Sequence, residues 1–237
     1  ILVTGGPIDV AVAKDLRLFI LSLGNNTGRI ARISWEDENL GAVLEPFVRV
    51  PAGTAAQSTA AAPDPRLIQW PTAMIFDGDE NLIILNSLDS RVQKFTKDGK
   101  FLAKWGSEGS GEGQFKLPWG IAVDSDQNVY VADWRNDRVQ KFTTDGQFLM
   151  SLGHSGNGDG QLDRPTGVAV DKQGYIYVAD WGNDRLQVFS PEGDFVAKLT
   201  GDGTISKWGK DKLDANVEMW HEREIAQGIE REKLFWG

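Results

Sequence analysis

The chain has 237 residues, and its 34 acidic against 25 basic side chains leave a formal net charge of −9. That balance repels phosphate backbones, so no nucleic-acid partner is expected, and no run approaches the ~18 apolar residues of a membrane span, so no direct membrane insertion is expected. Disulfides and thiolate metal sites are excluded because there is no cysteine; the compartment stays open, with an extracytoplasmic location favoured.

From the N-terminus, Pro7-Ile-Asp-Val-Ala-Val12, Leu18-Phe-Ile-Leu21 and Arg29-Ile-Ala-Arg-Ile33 are short apolar, β-branched runs of the kind that form strands. Residues 49–65 are small, bounded by Pro51 and Pro65 and without periodicity, which suits a surface excursion. A second set of runs follows: Pro71-Thr-Ala-Met-Ile-Phe-Asp77, Ile83-Ile-Leu85, Arg91-Val-Gln-Lys-Phe95 and Gly99-Lys-Phe-Leu102. In the third set the predicted strands are Gly120–Val123, 129–132, Arg138–Phe142 and 147–152. Turn-forming Asp124-Ser-Asp-Gln-Asn128, Trp134-Arg-Asn-Asp137 and Thr144-Asp-Gly146 separate them.

The fourth set repeats the third with an offset of 47 residues, carried without a gap from Leu102/Leu149 to Phe148/Phe195. Pro118-Trp-Gly-Ile-Ala-Val-Asp124 becomes Pro165-Thr-Gly-Val-Ala-Val-Asp171, and the same offset leads back to Pro71. Four antiparallel strands in a repeat of about 40–50 residues are the signature of a propeller blade. The fold class predicted is therefore all-β, with blades at about 7–48, 71–106, 118–153 and 165–200 in one domain spanning 1–237. Two segments depart from the repeat, 49–65 and 201–237. In the second, Leu213, Val217 and Trp220 follow helical spacing, which predicts one short helix over about 213–228 near the C-terminus.

The phrases Tyr130-Val-Ala-Asp-Trp-Arg-Asn-Asp-Arg-Val-Gln140 and Tyr177-Val-Ala-Asp-Trp-Gly-Asn-Asp-Arg-Leu-Gln187 resemble the NHL repeat, with Asp where that family's middle His stands. The resemblance covers 66–200 strongly and 1–48 weakly, and it implies a propeller that usually has six blades. Four are countable here, so the chain is expected to be part of a larger ring. Members serve as binding platforms, scaffolds and, in some cases, enzymes, so the motif speaks to fold more than to function.

Recurrence sorts the candidate residues. Asp77, Asp124 and Asp171 follow each inner strand and are expected to cap turns through main-chain amides. Arg29, Arg91, Arg138 and Arg185 are expected to tie blade to blade through carboxylate or carbonyl groups. The Gly109-Ser-Gly-Glu-Gly113 run imitates a phosphate loop, but Gly156-Asn-Gly-Asp-Gly160 repeats it one blade later, which makes both connectors. Ser155 stands where a calcium loop needs Asp and Thr166 where it needs Glu, leaving at most an incidental contact through Asn157 and Asp159.

Only His154 and His221 are present, too few and too far apart for the several inward-facing His with which amidating lyases of similar fold hold zinc. Asp9 is the one acidic departure from the inner-strand pattern and does not make a lactonase-like carboxylate cluster alone. No catalytic residue, cofactor or metal is assigned. The loops between second and third strands share one end of a propeller with the inter-blade connectors. Trp134, Arg135 and Trp181, with Asp133 and Asp180, are therefore the candidate partner-binding residues. The function read from the sequence is a non-catalytic binding or scaffold propeller for a protein or polymer. The alternatives are a metal-dependent propeller hydrolase or lyase, and a structural subunit assembled with other chains.

Overall fold

A computed structural model describes residues 6–14, 18–24, 27–34, 43–46, 68 and 70–200. Each recurring set of runs forms one four-stranded antiparallel sheet, with strands hydrogen-bonded in chain order. The first contains β1 (Gly6–Val12), β2 (Leu18–Gly24), β3 (Thr27–Ser34) and β4 (Val43–Pro46). The second contains β5 (Pro71–Phe76), β6 (Leu82–Asn86), β7 (Arg91–Phe95) and β8 (Phe101–Trp105). A short parallel pair in the following connector supplies β9 (Ser107–Glu108) and β10 (Gln114–Phe115). The third sheet contains β11 (Gly120–Val123), β12 (Val129–Asp133), β13 (Arg138–Phe142) and β14 (Phe148–Leu152). The fourth contains β15 (Pro165–Val170), β16 (Ile176–Asp180), β17 (Arg185–Phe189) and β18 (Phe195–Thr200). The chain, read from its sequence as one domain, divides into two compact units at residue 200, and the four sheets build the first. The predicted helix over 213–228 and both insertions lie outside the described residues.

The sheets stack as blades because their second strands are apolar on both faces. Along β6, Leu82 and Ile84 join Phe19, Leu21 and Met74 in a core between blades 1 and 2. The alternate residues Ile83 and Leu85 meet Val129, Val131 and Phe142 between blades 2 and 3. Along β12, Tyr130 and Ala132 turn the other way, to Ile176, Val178 and Phe189 of blade 4. This period-two division of a continuous apolar run is what a strand buried on both sides requires. First strands pack on first strands, β1 on β5, β5 on β11 and β11 on β15, so they mark the inner edge. Their approach is close enough that a side chain would not fit everywhere. A Cβ on Gly120 would lie 2.5 Å from the Thr166 carbonyl oxygen and 3.0 Å from the Gly167 Cα.

The two outer flanks show the same logic in reverse. Tyr130 is 1 % exposed, whereas Tyr177, its repeat partner, is only partly buried. On blade 1, Val10 and Val12 occupy the positions that face a preceding blade, and they are 51 % and 57 % exposed. Among the described residues no further blade covers either flank.

The repeated Asp after each inner strand anchors its turn, as expected. Asp124 Oδ1 accepts the amides of Asp126 at 2.9 Å and Asn128 at 2.8 Å, while Oδ2 accepts the Tyr130 hydroxyl at 2.9 Å. Asp77 and Asp171 accept the corresponding amides in their own blades. Asp9 is also structural: its carboxylate accepts the Val10 amide at 2.8 Å and the Met74 amide at 2.7 Å, stitching β1 to β5.

Two measurements test this packing. Gly120→Ala should lower stability by about 1–3 kcal/mol in denaturant unfolding, because the neighbour it meets is backbone that cannot rotate away. Gly167→Ala, whose Cβ would meet only the Ala179 methyl at 3.4 Å, should change it by no more than about 0.5 kcal/mol. Equal costs would contradict the inner-edge geometry. The turn makes the second test. Burial alone would raise the Asp124 carboxyl, but hydrogen bonds from Asn128 and Tyr130 and the nearby Lys141 hold it below its ordinary value. Its stabilisation is thus present above the unfolded-state value near pH ~4 and is lost as pH falls through the lower folded value. Asp124→Asn should be less stable at neutral pH and should lose less stability than wild type on acidification below that point.

Candidate functional site

The connectors and second-to-third strand loops meet at one end of the blades, held by a clamp repeated with one offset. In blade 3 the loop opens at Asp133, whose fully buried carboxylate is the hub. Its Oδ1 accepts the Lys116 amide at 2.7 Å; its Oδ2 accepts Asn136 Nδ2 at 2.8 Å and Arg138 Nε at 3.0 Å. Arg138 extends its other donors to the connector carbonyls of Gly111 at 2.8 Å and Gln114 at 2.9 Å. Gln140 Nε2 donates to the Gln114 carbonyl at 2.7 Å, and its Oε1 accepts the Gly113 amide at 3.0 Å. Blade 4 repeats the set: Asp180 accepts the Asp163 amide at 2.7 Å and Arg185 Nε at 2.7 Å. Arg185 also reaches the carbonyls of Asn157, Gly158 and Gln161, each at 2.8 Å.

The repeated Arg, expected to tie blade to blade, instead joins its own blade's carboxylate to the incoming connector in blades 3 and 4. Asp133 and Asp180, read from the sequence as rim residues, are instead buried hubs. A carboxylate surrounded by an amide, an Asn and a guanidinium positions the loop and does not face a partner. Burial pushes the Asp133 carboxyl above its ordinary value, against the opposing pull of the Lys116 amide, Asn136 and Arg138. Blade 2 keeps the chemistry with the partners exchanged. Asn86 stands at the hub and Asp89 at the Asn position, with Asn86 Nδ2 to Asp89 Oδ2 at 3.2 Å and Arg91 to Asp89 at 2.8 Å.

Above the clamp the loop makes one turn of 3₁₀ helix, Trp134–Asn136 in blade 3 and Trp181–Asn183 in blade 4, and then a left-handed residue, Asp137 or Asp184. Asp tolerates that conformation better than most side chains. The turn lifts the tryptophans out of the sheet. Trp181 is 55 % exposed, with the Arg164 guanidinium 4.7 Å from its ring centre. Trp134 is half-buried between Arg135, 5.3 Å from its ring centre, and Trp119, whose ring centre is 6.0 Å away. Trp119 itself is 44 % exposed. Arg135 is exposed, and its amide donates to the Lys116 carbonyl at 3.1 Å, so loop and connector are bonded neighbours. Of the residues singled out from the sequence, Trp134, Arg135 and Trp181 therefore lie at the loop end with accessible surface. Their relation to 49–65 and 201–237 lies outside the described residues.

Sequence reasoning missed Trp119 and Arg164. Trp119 stands where the other blades have Thr72 and Thr166, and this departure was the available signal. In blade 2 the equivalent pair is Thr72 and Ser87, hydroxyl to hydroxyl at 2.7 Å, with Ser87 also donating to the Pro118 carbonyl. Blade 3 replaces that polar pair with two indoles. Arg164 is one of three residues that precede a repeat Pro with positive φ: Trp70 at 48°, Leu117 at 47° and Arg164 at 52°. No local preference of Trp, Leu or Arg announces that conformation.

His154 lies in the connector, with Nε2 3.2 Å from Gln161 Nε2, and Asp159 pairs with Lys198 at 2.5 Å. Among the described residues no three His, Asp or Glu side chains gather closely enough to hold a metal ion. Nor is any described helix long and apolar enough to cross a membrane.

Residues 115–142 and 162–189 each match the NHL repeat. Blades 3 and 4 are NHL repeats. Each NHL match begins at a fully buried connector residue, Phe115 or Leu162, and takes in the first three strands of the blade with the clamp's side chains, Asp133, Asn136, Arg138 and Gln140 in blade 3. No curated protein matches the chain in sequence. Among solved structures the NHL blades and their neighbours are similar to a streptogramin B lyase, at 14% identity and TM-score 0.60 over 84% of this chain and 56% of that one. They are similar to a catalytically inactive virginiamycin B lyase from Staphylococcus aureus with quinupristin, at 14% identity and TM-score 0.58 over 83% and 56%. A gluconolactonase from Xanthomonas campestris is similar at 16% identity and TM-score 0.54, over 81% and 61%. The chain spans little more than half the length of these propellers, and at such identities the likeness shows the fold alone.

The clamp is testable through Arg185, whose side chain is nearly buried against a fully buried partner. Arg185→Ala leaves the Asp180 charge uncompensated and should cost about 3–5 kcal/mol in urea unfolding. The exposed neighbour Arg135→Ala should leave the transition unchanged. A small effect at Arg185 would mean that the connector is held by something else.

Proposed function

We propose that this chain is a non-catalytic binding platform that engages a protein or polymer partner through the connector end of blades 3 and 4. The observation that carries the reading is the display of Trp119, Trp134 and Trp181 on loops locked from below by buried carboxylates. Exposed indoles are costly to keep in water, and Trp held on a rigid support is a common anchor of binding energy. A mobile loop would lose entropy on docking; a clamped one loses little.

The lyase and lactonase neighbours keep a second reading in view, a propeller hydrolase or lyase with a metal in the central channel. In the described blades the one acidic departure of the inner strands, Asp9, is already occupied by two main-chain amides. A third reading, a structural subunit of a larger assembly, draws on the exposed flank residues Val10 and Val12. Sedimentation of the purified chain tests it, because assembly through the flanks would be abolished by Val12→Lys.

Trp181→Ala tests the platform itself. It should reduce stability by no more than about 1 kcal/mol, as a surface substitution does. The partner retained by the wild-type chain from a lysate should be lost, with binding weakened by about 2 kcal/mol or more. A drop of about 3–5 kcal/mol in stability would make Trp181 a wedge between blades and remove the platform reading.

A further inference from the structure

The connector held by the blade 4 clamp contains a chemically labile peptide. Asn157-Gly158 is the one Asn-Gly pair in the sequence. A backbone nitrogen that follows an Asn can attack that residue's own side-chain amide carbon. Glycine, having no Cβ, leaves the nitrogen unshielded. Blade 3 has Ser110 at the matching position, which offers no such electrophile. Asn157 is exposed, and its side-chain amide has no hydrogen-bond partner among the described residues, so nothing there holds it away from its own backbone.

What is held is the peptide plane between the two residues. Its oxygen, the Asn157 carbonyl, accepts Arg185 Nη1 at 2.8 Å, and its nitrogen, the Gly158 amide, donates to Gln161 Oε1 at 2.8 Å. Gln161 is oriented in turn by His154, whose Nε2 is 3.2 Å from its Nε2. The Gly158 carbonyl is fixed as well, accepting Arg185 Nη2 at 2.8 Å and the Gln161 amide at 3.1 Å. In blade 3 Arg138 reaches the carbonyls of Gly111 and Gln114, without the further bond that Arg185 makes to Asn157. Ring closure requires the Gly158 nitrogen to give up its proton and to turn toward Asn157 Cγ. A cation on the peptide oxygen eases loss of that proton, but both edges of the plane must first be released. Loops open locally at far lower cost than the whole fold, so release is a property of the connector.

We propose that Asn157 is a site of self-modification by deamidation, gated by opening of the blade 4 clamp and independent of the platform reading. On opening, the Gly158 nitrogen bonds to Asn157 Cγ and the bond from Cγ to Nδ2 breaks. The peptide proton goes with the departing nitrogen, which leaves as ammonia, and a cyclic imide remains. Water opens that ring at either carbonyl, so one water is consumed and one ammonia released, with no oxidant or reductant. One opening gives an aspartate in an ordinary chain. The other gives an isoaspartyl link, which adds an atom to the main chain between Gly156 and Gly158. Asn183 Nδ2 holds the Gly156 carbonyl at 2.9 Å and Arg185 holds that of Gly158. Both cannot stay in register with a longer connector, so the hold beneath the Trp181 loop slackens.

The purified 237-residue chain, aged in neutral buffer and digested for mass spectrometry, tests this. Conversion at residue 157 should run ahead of every other Asn of the described blades, and it should be slower in the folded chain than in urea. Gln161→Ala frees the Gly158 amide and should convert about two- to tenfold faster, the range that one lost hydrogen bond spans. Gln161→Glu keeps an oxygen acceptor for that amide and should stay near the wild-type rate. Asn157→Ser, the blade 3 residue, should melt as wild type does and show no conversion there. Absence of conversion at residue 157 in the folded chain, whatever the unfolded chain does, would overturn the site. Equal rates folded and unfolded, or a Gln161→Ala rate like that of wild type, would overturn the gating. Equal acceleration by Ala and Glu would mean that packing, not the acceptor, restrains the peptide, and would overturn the role of Gln161. An isoaspartyl fraction that melts with the unmodified chain would overturn the loosening and leave the site standing.

Discussion

The structure at the loop end depends on one arrangement, a carboxylate buried at the close of each second strand and surrounded by donors it cannot do without. A buried charge is tolerated only when it is paired and hydrogen-bonded. Asp133 meets that demand with the Lys116 amide, Asn136, Arg138 and Gln140, and in doing so draws the incoming connector onto its own blade. Arg138 and Arg185 are not interchangeable with Lys here. One nitrogen holds the carboxylate while others reach main-chain carbonyls of the connector, which requires the planar fork of a guanidinium. The connector has little regular secondary structure, so these side chains also satisfy carbonyls that would otherwise lack partners.

A rigid loop end explains why the departures from the repeat are informative. Where the repeat is kept, residues serve the stack. Where it is broken, as at Trp119 in place of Thr72 and Thr166, the change adds apolar surface on a support that does not need it. Blade 2 shows the contrasting choice. Its Thr72 and Ser87 hydroxyls bond to each other and to blade 3, leaving no indole at that position. The same site in the fold is glue in one blade and display in the next.

The strands were legible in the sequence because blade strands are buried on both faces, and a continuous apolar run such as Leu82–Asn86 has few other uses. The capping Asp and the tying Arg were legible because they recur with the period. What recurrence hid was direction. Asp133 and Asp180 sit beside exposed tryptophans in the chain, yet partners five and seven residues downstream bury them. The Trp119–Trp134 contact joins the residue before β11 to the turn after β12, and the left-handed Trp70, Leu117 and Arg164 take their conformation from the connector they end. Neither leaves a mark in local composition.

Native-state amide hydrogen exchange measures the central claim most directly. If buried carboxylates lock the connectors, the amides of Lys116 and Asp163, which donate to Asp133 and Asp180, should exchange only with the global unfolding that releases β12 and β16. Exchange of these two amides at the rate of an open loop, with the strands still protected, would contradict the account. The indoles would then stand on loops that move independently of the blades.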